Sequence, residues 1–481
     1  MQNIIQEINN LYFTWQQEQP SVIEKIPQSG SDRMYFKVKG NKQNCIATYN
    51  INIKENLTFI YFSKHFKALN ISVPKVFCVS DGNLFYLQED VGNKCLLDEL
   101  EQLGHTETIL NLFKNSLKQL AKLQIVGDKN LDYSQCITAK EFGQQAILSD
   151  LLYFKYYFLD TLQFPYDKQQ LLTDFETLSS YLNNVEQKFF MFRDFQSRNI
   201  MLNNETIAFI DFQGGMKGAL QYDVASLLWQ AKAQLSQQWK DDLLHFYIDE
   251  INKLLPQKVD KNLFINQYNG YVLIRLLQVL GAYGFRGLFE RKAHFLSSIP
   301  LALNNLKAFL NNYKIGLETP ELDKVLSFII SDNIINKFTS SQACESTPLK
   351  VIVNSFSYKK EIPKDSSGNG GGFVFDMRGI LNPGRFDEYK CLSGLDKPVI
   401  NFLEQQTQMN KFLNSVWDLI DISIEDYLSR GFKNLQINFG CTGGQHRSVF
   451  AAEQTARHLR NKYKLNVELT HTNKENWKTI M

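Results

Sequence analysis

Two short segments constrain this 481-residue chain more than any others: Phe192-Arg193-Asp194-Phe195-Gln196-Ser197-Arg198-Asn199, and then Ile210-Asp211-Phe212-Gln213. They fall on a short strand–loop–strand over Phe189–Leu202 and Thr206–Phe212. Phosphoryl transfer needs a carboxylate beside the acceptor hydroxyl and oxygen ligands that hold Mg²⁺ across the phosphates. Asp194, with Asn199 five positions later on a tight loop, can supply a base and one metal ligand, and Asp211 after the next strand can supply the other. Any one of these residues alone reads as a surface turn or a strand end; the ordered set points to chemistry.

The flanking pattern agrees. Upstream, Phe36–Lys39, Cys45–Tyr49, Val76–Val79 and Leu84–Gln88 are apolar, β-branched or aromatic and are punctuated by Gly, Asn and Asp. Between them Glu55–Leu69 has helical spacing, as do 107–190 and 223–330. A small sheet with one helix, then a larger helical lobe carrying a central hairpin, predicts an α+β, protein-kinase-like bilobal domain over 1–332, with its N-lobe over about 1–90 and its helical C-lobe over about 91–332. The polar stretch within 333–348 reads as a linker. Beyond it, strands at Val351–Asn354, Phe373–Asp376, Leu435–Phe439 and Val467–Thr470, one or two helices over Asn401–Ser429 and a helix over Ser448–Lys462 predict a smaller α/β domain over 349–481.

Composition narrows the setting. A formal net charge of +2 gives no global reason for nucleic acid or an anionic membrane as partner. Uninterrupted apolar stretches stay short of a membrane span, and no membrane partner is expected. The N-terminus lacks a basic start, an apolar core and a small-residue cleavage site. Seven dispersed cysteines suit a reducing compartment, so a cytoplasmic location is expected.

The loop Arg193–Asn199, the strand end Ile210–Gln213 and the run Tyr222–Leu228 resemble the aminoglycoside phosphotransferase and choline kinase superfamily, and within it most the AmgK-type kinases of cell-wall amino sugars, over about residues 10–330. The resemblance implies ATP and Mg²⁺, with Asp194 as catalytic base and Asn199 and Asp211 as metal ligands. Asp223 reads as a helix N-terminal cap. Ser29, Gly30, Ser31 and Arg33 precede a strand and suit either a phosphate-covering turn or an ordinary one. Glu55 begins a helix where kinases place the partner of their phosphate-anchoring lysine, and Gln88–Asp90 look like the hinge that receives adenine. Two departures stand out. Phe192 replaces a common His, and Ile46–Tyr49 offers no lysine, which leaves the charge partner of the α/β-phosphates unassigned.

The second strong signal is Gly440-Cys441-Thr442-Gly443-Gly444-Gln445-His446-Arg447-Ser448. A strand ends, glycines allow close backbone approach, and a helix begins, so N–H groups and a helix dipole face an anion. Arg447 adds a bidentate fork and His446 a second donor. Cys441 and Arg447 also have the spacing of cysteine-dependent phosphatases, in which a thiolate is the nucleophile. The same residues, with Asn354–Lys359, Phe375–Arg378, Asn382-Pro383 and Ser393–Pro398, resemble the RapZ C-terminal domain across nearly all of 349–481. That resemblance implies binding of an amino-sugar phosphate such as glucosamine-6-phosphate at Cys441, Thr442, Gly443, Gly444, His446, Arg447 and Ser448, with Ser355, Lys359, Asp376 and Arg378, and contact with an RNA or protein partner. The nucleotide-binding P-loop of that family, G-x-x-x-x-G-K-[ST], does not occur here.

The sequence therefore predicts an ATP-dependent phosphotransferase acting on a sugar hydroxyl, the anomeric one of an N-acetylated amino sugar, with a C-terminal sugar-phosphate-sensing domain. The alternative is a catalytically weak nucleotide-binding adapter that binds RNA or protein under glucosamine-6-phosphate control.

Overall fold

The computed structural model describes residues 2–26, 33–185, 187–203, 206–290, 293–339, 347–365, 367–368 and 372–477. Ser29, Gly30 and Ser31 lie outside the described residues. The chain divides into two compact units, Met1–Phe285 with Leu301–Ser331, and Arg286–Pro300 with Asp332–Met481.

The first unit opens with helix α1 (Gln2–Gln16) and a five-stranded antiparallel sheet built from β1 (Val22–Lys25), β2 (Met34–Lys39), β3 (Cys45–Tyr49), β4 (Val76–Val79) and β5 (Phe85–Gln88), in the order β1-β2-β3-β5-β4. Strand alternation puts Phe36, Val38, Cys45, Ala47 and Leu87 in one core with Ile8 and Tyr12 of α1. Helix α2 (Ile53–Ala68) lies between β3 and β4 in the chain. It starts at Asn52, whose side chain accepts from the Glu55 N–H, and this places Glu55 in the first turn.

The helical part follows a short strand β6 (Lys94–Cys95), with α3 (Leu96–Leu103), α4 (Glu107–Ile125), α5 (Gln144–Tyr157) and α6 (Lys168–Asn183). Strands β7 (Phe189–Met191), β8 (Ile200–Asn203), β9 (Thr206–Phe209) and β10 (Met216–Gly218) come next. β7 pairs with β10, and β8 is flanked by β6 and β9. Then come α7 (Leu220–Leu228), α8 (Gln237–Leu254) and α9 (Lys261–Gly284). By length and composition, the helical segment Lys261–Phe289 could cross a membrane. Here α9 buries Phe264, Tyr268, Tyr271, Leu276 and Leu280, and it also buries Arg275. Of the next helices, α10 (Ala293–Leu296) and α13 (Asp332–Phe338) belong to the second unit, and α11 (Ile299–Asn312), nearly all of it, and α12 (Pro320–Ile329) to the first.

The second unit carries strands β11 (Lys350–Ser357), β12 (Phe373–Asp376), β13 (Asn434–Cys441) and β14 (Asn466–His471), all parallel, in the order β12-β13-β11-β14. Helices α14 (Lys397–Gln406), α15 (Met409–Arg430) and α16 (Arg447–Tyr463) complete it. Asn401–Ser429 is thus two helices. Gly431, at φ 69°, ends α15 in the left-handed region that glycine adopts at little cost. Val351, Val353, Ile437 and Phe439 from the sheet and Ala452, Ala456 and Leu459 from α16 share one core.

Candidate functional site

A parallel sheet or a catalytic hairpin presents its chemistry at strand ends, so both sites can be built from where the strands stop. In the first unit, Asp194 leaves the end of β7. Arg193 beside it holds φ at +80°, a strained value for a residue with a Cβ, worth about 1–3 kcal/mol. The loop is held from several sides. The backbone N–H groups of Phe192 and Arg193 donate to the Asp223 carboxylate at 2.7 and 3.0 Å, and Gln124 Nε2 donates to it at 2.9 Å. Burial pushes Asp223 up to about 7 despite those three donors. Asp223 is therefore not a helix cap. It sits inside α7, whose N-cap is Ala219, and it fixes the loop backbone instead. The Arg193 guanidinium reaches Asp150 Oδ1 and Tyr222 Oη, both at 2.7 Å, and Gln230 Oε1 accepts from the N–H and Oγ of Ser197. Phe192 is fully buried against Phe195 and Phe209, which gives an apolar reason for the departure from His.

The Asp194 carboxylate is about a third exposed and takes four side-chain donors. Arg275 Nη2 reaches Oδ1 at 2.8 Å, Arg198 Nη2 reaches Oδ2 at 3.1 Å, Asn199 Nδ2 reaches Oδ2 at 3.4 Å, and Gln196 Nε2 reaches Oδ1. Burial works against its charge, but Arg275 and Arg198 outweigh it and hold Asp194 below the usual carboxylate range. Asn199 Nδ2 also donates to the Asp194 carbonyl at 2.9 Å.

Asp211 follows β9 with φ at +70°, and Gln213 Nε2 donates to its Oδ1 at 2.8 Å. Arg33 Nη2 lies 2.5 Å from that oxygen, and Arg33 Nε lies 3.4 Å from Glu55 Oε1. Glu55 is steadied by Asn50 Nδ2 at 2.8 Å. Arg33, Glu55 and Asp211 are thus brought together. At the expected hinge, the Gln88 side chain turns inward to Thr48 Oγ1 at 3.0 Å, and Asp90 lies 3.4 Å from Lys37 Nζ.

Arg275 was not legible as a site residue, because it is 81 positions from its partner Asp194. A signal did exist: it is the one charged residue after Lys261 in an apolar 24-residue helix, and such a charge is buried only with a partner.

No group of three His, Cys, Asp or Glu side chains suited to a metal occurs among the described residues. The donors at this hairpin are oxygens, the Asp211 carboxylate and the Asn199 amide. Buried Gln213 Oε1 beside them has no hydrogen-bond partner. Hard oxygen donors with room for phosphate oxygens and water suit Mg²⁺, which rarely has an all-protein cage.

In the second unit the parallel register aligns Asp376 with Gly440, Ser357 with Cys441, and Ser355 with His471, so four strand ends share one edge. There the loop 441–446 leads into α16. Gly444, at φ +62°, lets the loop turn, and a Cβ on it would lie 3.0 Å from Asn473 Cβ and from the Ser357 nitrogen. The loop's carbonyls are held by Ser357 Oγ on Thr442, Asn473 Nδ2 on Gly443 and Trp477 Nε1 on Gly444, each at 2.8 Å. Cys441 Sγ accepts from the Gly444 N–H at 3.2 Å and lies 3.1 Å from Ser448 Oγ.

Arg447 is 4% exposed. Its Nη1 donates to the carbonyls of Ile380 and Arg378 at 2.8 and 3.1 Å, and its Nε has no hydrogen-bond partner. Burial lowers its pKa, and Arg385 and Arg378 push the same way. Asp376 grips Arg378 with both oxygens. His446 Nε2 meets the Tyr389 carbonyl at 2.8 Å, and burial lowers the His446 pKa. Ser355 Oγ lies 2.8 Å from His471 Nδ1, and the Lys359 side chain is exposed.

A bilobal α+β unit with this hairpin has the protein-kinase-like phosphotransferase fold, followed by a separate parallel α/β unit. The chain matches the phosphotransferase enzyme family over residues 22–256 and the RapZ C-terminal domain over residues 349–475, and it belongs to these families over those segments. It is 30% identical over 229 residues to a nucleotide-binding protein of Glaesserella parasuis, covering 45% of this chain and 71% of that one. It is 35% identical over 127 residues to one of Actinobacillus pleuropneumoniae, covering 26% of this chain and 42% of that one. The chain therefore spans less than half of the second relative. Among solved structures, an apo thermostable mutant of aminoglycoside phosphotransferase APH(4)-Ia aligns with TM-score 0.41 and 16% identity, covering 63% of this chain and 98% of its own. A choline kinase from Cryptosporidium parvum aligns with TM-score 0.45 and 14% identity, covering 64% and 93%.

Proposed function

We propose that residues 1–332 transfer the γ-phosphate of ATP to a sugar hydroxyl, the anomeric one of an N-acetylated amino sugar, and that residues 349–481 bind an amino-sugar phosphate and report its level, in the cytoplasm. The observation that carries this reading is the hairpin itself. Asp194 stands on a loop anchored by Asp223, Asp150 and Gln230, and Asn199 turns its amide nitrogen to Asp194, which directs its oxygen elsewhere.

In this reading Asp194 orients the acceptor hydroxyl and takes its proton at Oδ1 or Oδ2. Its depressed pKa makes it a weak base, which suits a loose transition state in which positioning and electrostatics do most of the work. Asn199 and Asp211 would hold Mg²⁺, which when bound neutralises charge developing on the phosphate oxygens. Arg33, Glu55, Gln88 and Asp90, with Ser29, Gly30 and Ser31, would frame the nucleotide. In the second unit, the N–H groups at the start of α16 and the Arg447 fork would bind the sugar phosphate at the strand ends, beside Thr442, Gly443, Gly444, Ser355, Asp376 and Arg378.

A second reading, an adapter that binds nucleotide without turnover and meets RNA or protein under sugar-phosphate control, draws on the clamp of Arg275 and Arg198 on Asp194. ATP consumption across a panel of amino sugars, with and without glucosamine-6-phosphate, separates the two. Turnover that responds to the phosphate is expected of the kinase. Binding of ATP and of glucosamine-6-phosphate with no turnover on any sugar would favour the adapter.

A further inference from the structure

We infer that Arg33, from the start of β2, takes the place of the absent strand lysine as the cation that anchors the α/β-phosphates of a nucleoside di- or triphosphate, and that it exchanges Asp211 for those phosphates when the metal arrives. This rests on the reading of the first unit as a nucleotide-binding phosphotransferase.

The vacancy on the neighbouring strand is physical. β3 is Cys45-Ile46-Ala47-Thr48-Tyr49, with no cation, and its one short polar side chain, Thr48, is held by Gln88. Met34 pairs with Tyr49, so Arg33 stands beside the end of β3, one strand across from where a lysine would start. Its guanidinium is held from one side by Glu55, which is itself fixed by Asn50. A buried cation tethered by a first-turn helix carboxylate is the arrangement a phosphate-anchoring residue needs, and guanidinium adds a planar fork that a lysine lacks.

Two details separate an anchor from a structural ion pair. Arg33 is 9% exposed, and its Nε meets Glu55 only as a 3.4 Å ion pair without a hydrogen bond, so the fork is not fully used. And its shortest contact, 2.5 Å, is to Asp211 Oδ1, an oxygen of the carboxylate proposed to hold the metal. Metal and guanidinium compete for that oxygen. When a metal–nucleotide complex binds, the phosphates offer Arg33 new oxygens at the moment Asp211 turns to the metal, so charge stays paired throughout.

The exchange makes a prediction that a merely structural arginine does not: removing Arg33 affects nucleotide and metal with opposite sign. The test measures binding of ATP, ADP and adenosine by calorimetry, and of Mn²⁺ without nucleotide by electron paramagnetic resonance, in the full chain and in Arg33→Met, Arg33→Lys and Glu55→Gln. In Arg33→Met, ATP and ADP are expected to weaken about tenfold or more, the loss of one charge-assisted contact. Adenosine binding stays unchanged and Mn²⁺ binds more tightly. Arg33→Lys restores part of the ATP affinity, and Glu55→Gln weakens ATP in the same sense as Arg33→Met but less.

ATP binding within twofold of wild type in Arg33→Met overturns the proposal, as does parallel weakening of ATP, adenosine and Mn²⁺. Should Arg33→Met fail to fold, Arg33→Lys and Glu55→Gln carry the same comparison, and unchanged ATP affinity in both overturns it. If the wild-type chain binds neither ATP nor adenosine, the nucleotide-binding reading itself falls and takes this proposal with it. Adenosine binding in all variants, with ATP favoured in none, removes Arg33 alone.

Discussion

The two candidate sites of this molecule treat charge in opposite ways. At the hairpin of the first unit, cations are matched with anions before any ligand arrives: Arg33 with Glu55 and Asp211, Arg193 with Asp150, and Arg275 and Arg198 with Asp194. At the strand-end loop of the second unit, Arg378, Arg385 and Arg447 crowd together with Asp376, whose carboxylate is spent on Arg378, and Arg447 keeps an unpartnered buried Nε. A ligand at the first centre must exchange partners, which favours a reacting site where charge is created and moved. A ligand at the second finds donors already assembled by backbone and helix, which favours a binding site.

The largest effect expected from this contrast is at Asp194. Asp194→Ala removes the carboxylate proposed to orient the acceptor and should lower turnover by about 10²–10⁴-fold while nucleotide binding is retained. Steady-state ATP consumption beside nucleotide calorimetry reads both, and unchanged turnover would remove Asp194 from the mechanism.

Next is Arg447→Met in the second unit. The loss of a charge-assisted fork should weaken glucosamine-6-phosphate by about 1.5–3 kcal/mol, tenfold or more by calorimetry. Turnover of the first unit without the phosphate should be unaffected. Equal affinity in the variant would mean the phosphate lies elsewhere.

A subtler effect separates the clamp from the base. Arg275 lowers the Asp194 pKa, so Arg275→Met should move the acid limb of the kcat–pH profile upward. Asp194 then binds its proton at higher pH, and the active, ionised form is lost sooner as pH falls. An acid limb that does not move would show that Arg275 only packs the lobe.

The smallest effect is expected at Cys441. Cys441→Ser keeps an acceptor for the Gly444 N–H, so sugar-phosphate affinity should stay within about twofold, a change below 0.5 kcal/mol. Wild type should release no inorganic phosphate from the sugar phosphate. Release that Cys441→Ser abolishes would instead make the loop a cysteine-dependent phosphatase.

What the sequence made legible follows the same division. Asp194, Asn199 and Asp211 lie close together in the chain and at strand ends, so order and spacing alone single them out as candidates. The strands of the second unit were readable because each is a short apolar run before a turn, whereas their parallel order was not. Partners brought in from afar were not legible. Arg33 meets Asp211 across 178 positions, and Arg275 meets Asp194 across 81. Asp223 looked like a cap because a first-turn acid usually is one, yet its carboxylate is turned inward to the backbone of another segment. The Tyr389 carbonyl that engages His446 and the Gly444 carbonyl that Trp477 holds are backbone groups, which leave no mark in residue identity.

The most direct single measurement is ³¹P NMR of the wild-type chain with Mg-ATP and N-acetylmuramate or N-acetylglucosamine. Phosphotransfer predicts loss of the ATP β-resonance, growth of ADP, and a new sugar 1-phosphate signal that Asp194→Ala does not produce. An unchanged ATP spectrum, with ATP and glucosamine-6-phosphate both bound, would contradict it and leave a nucleotide-binding adapter in its place.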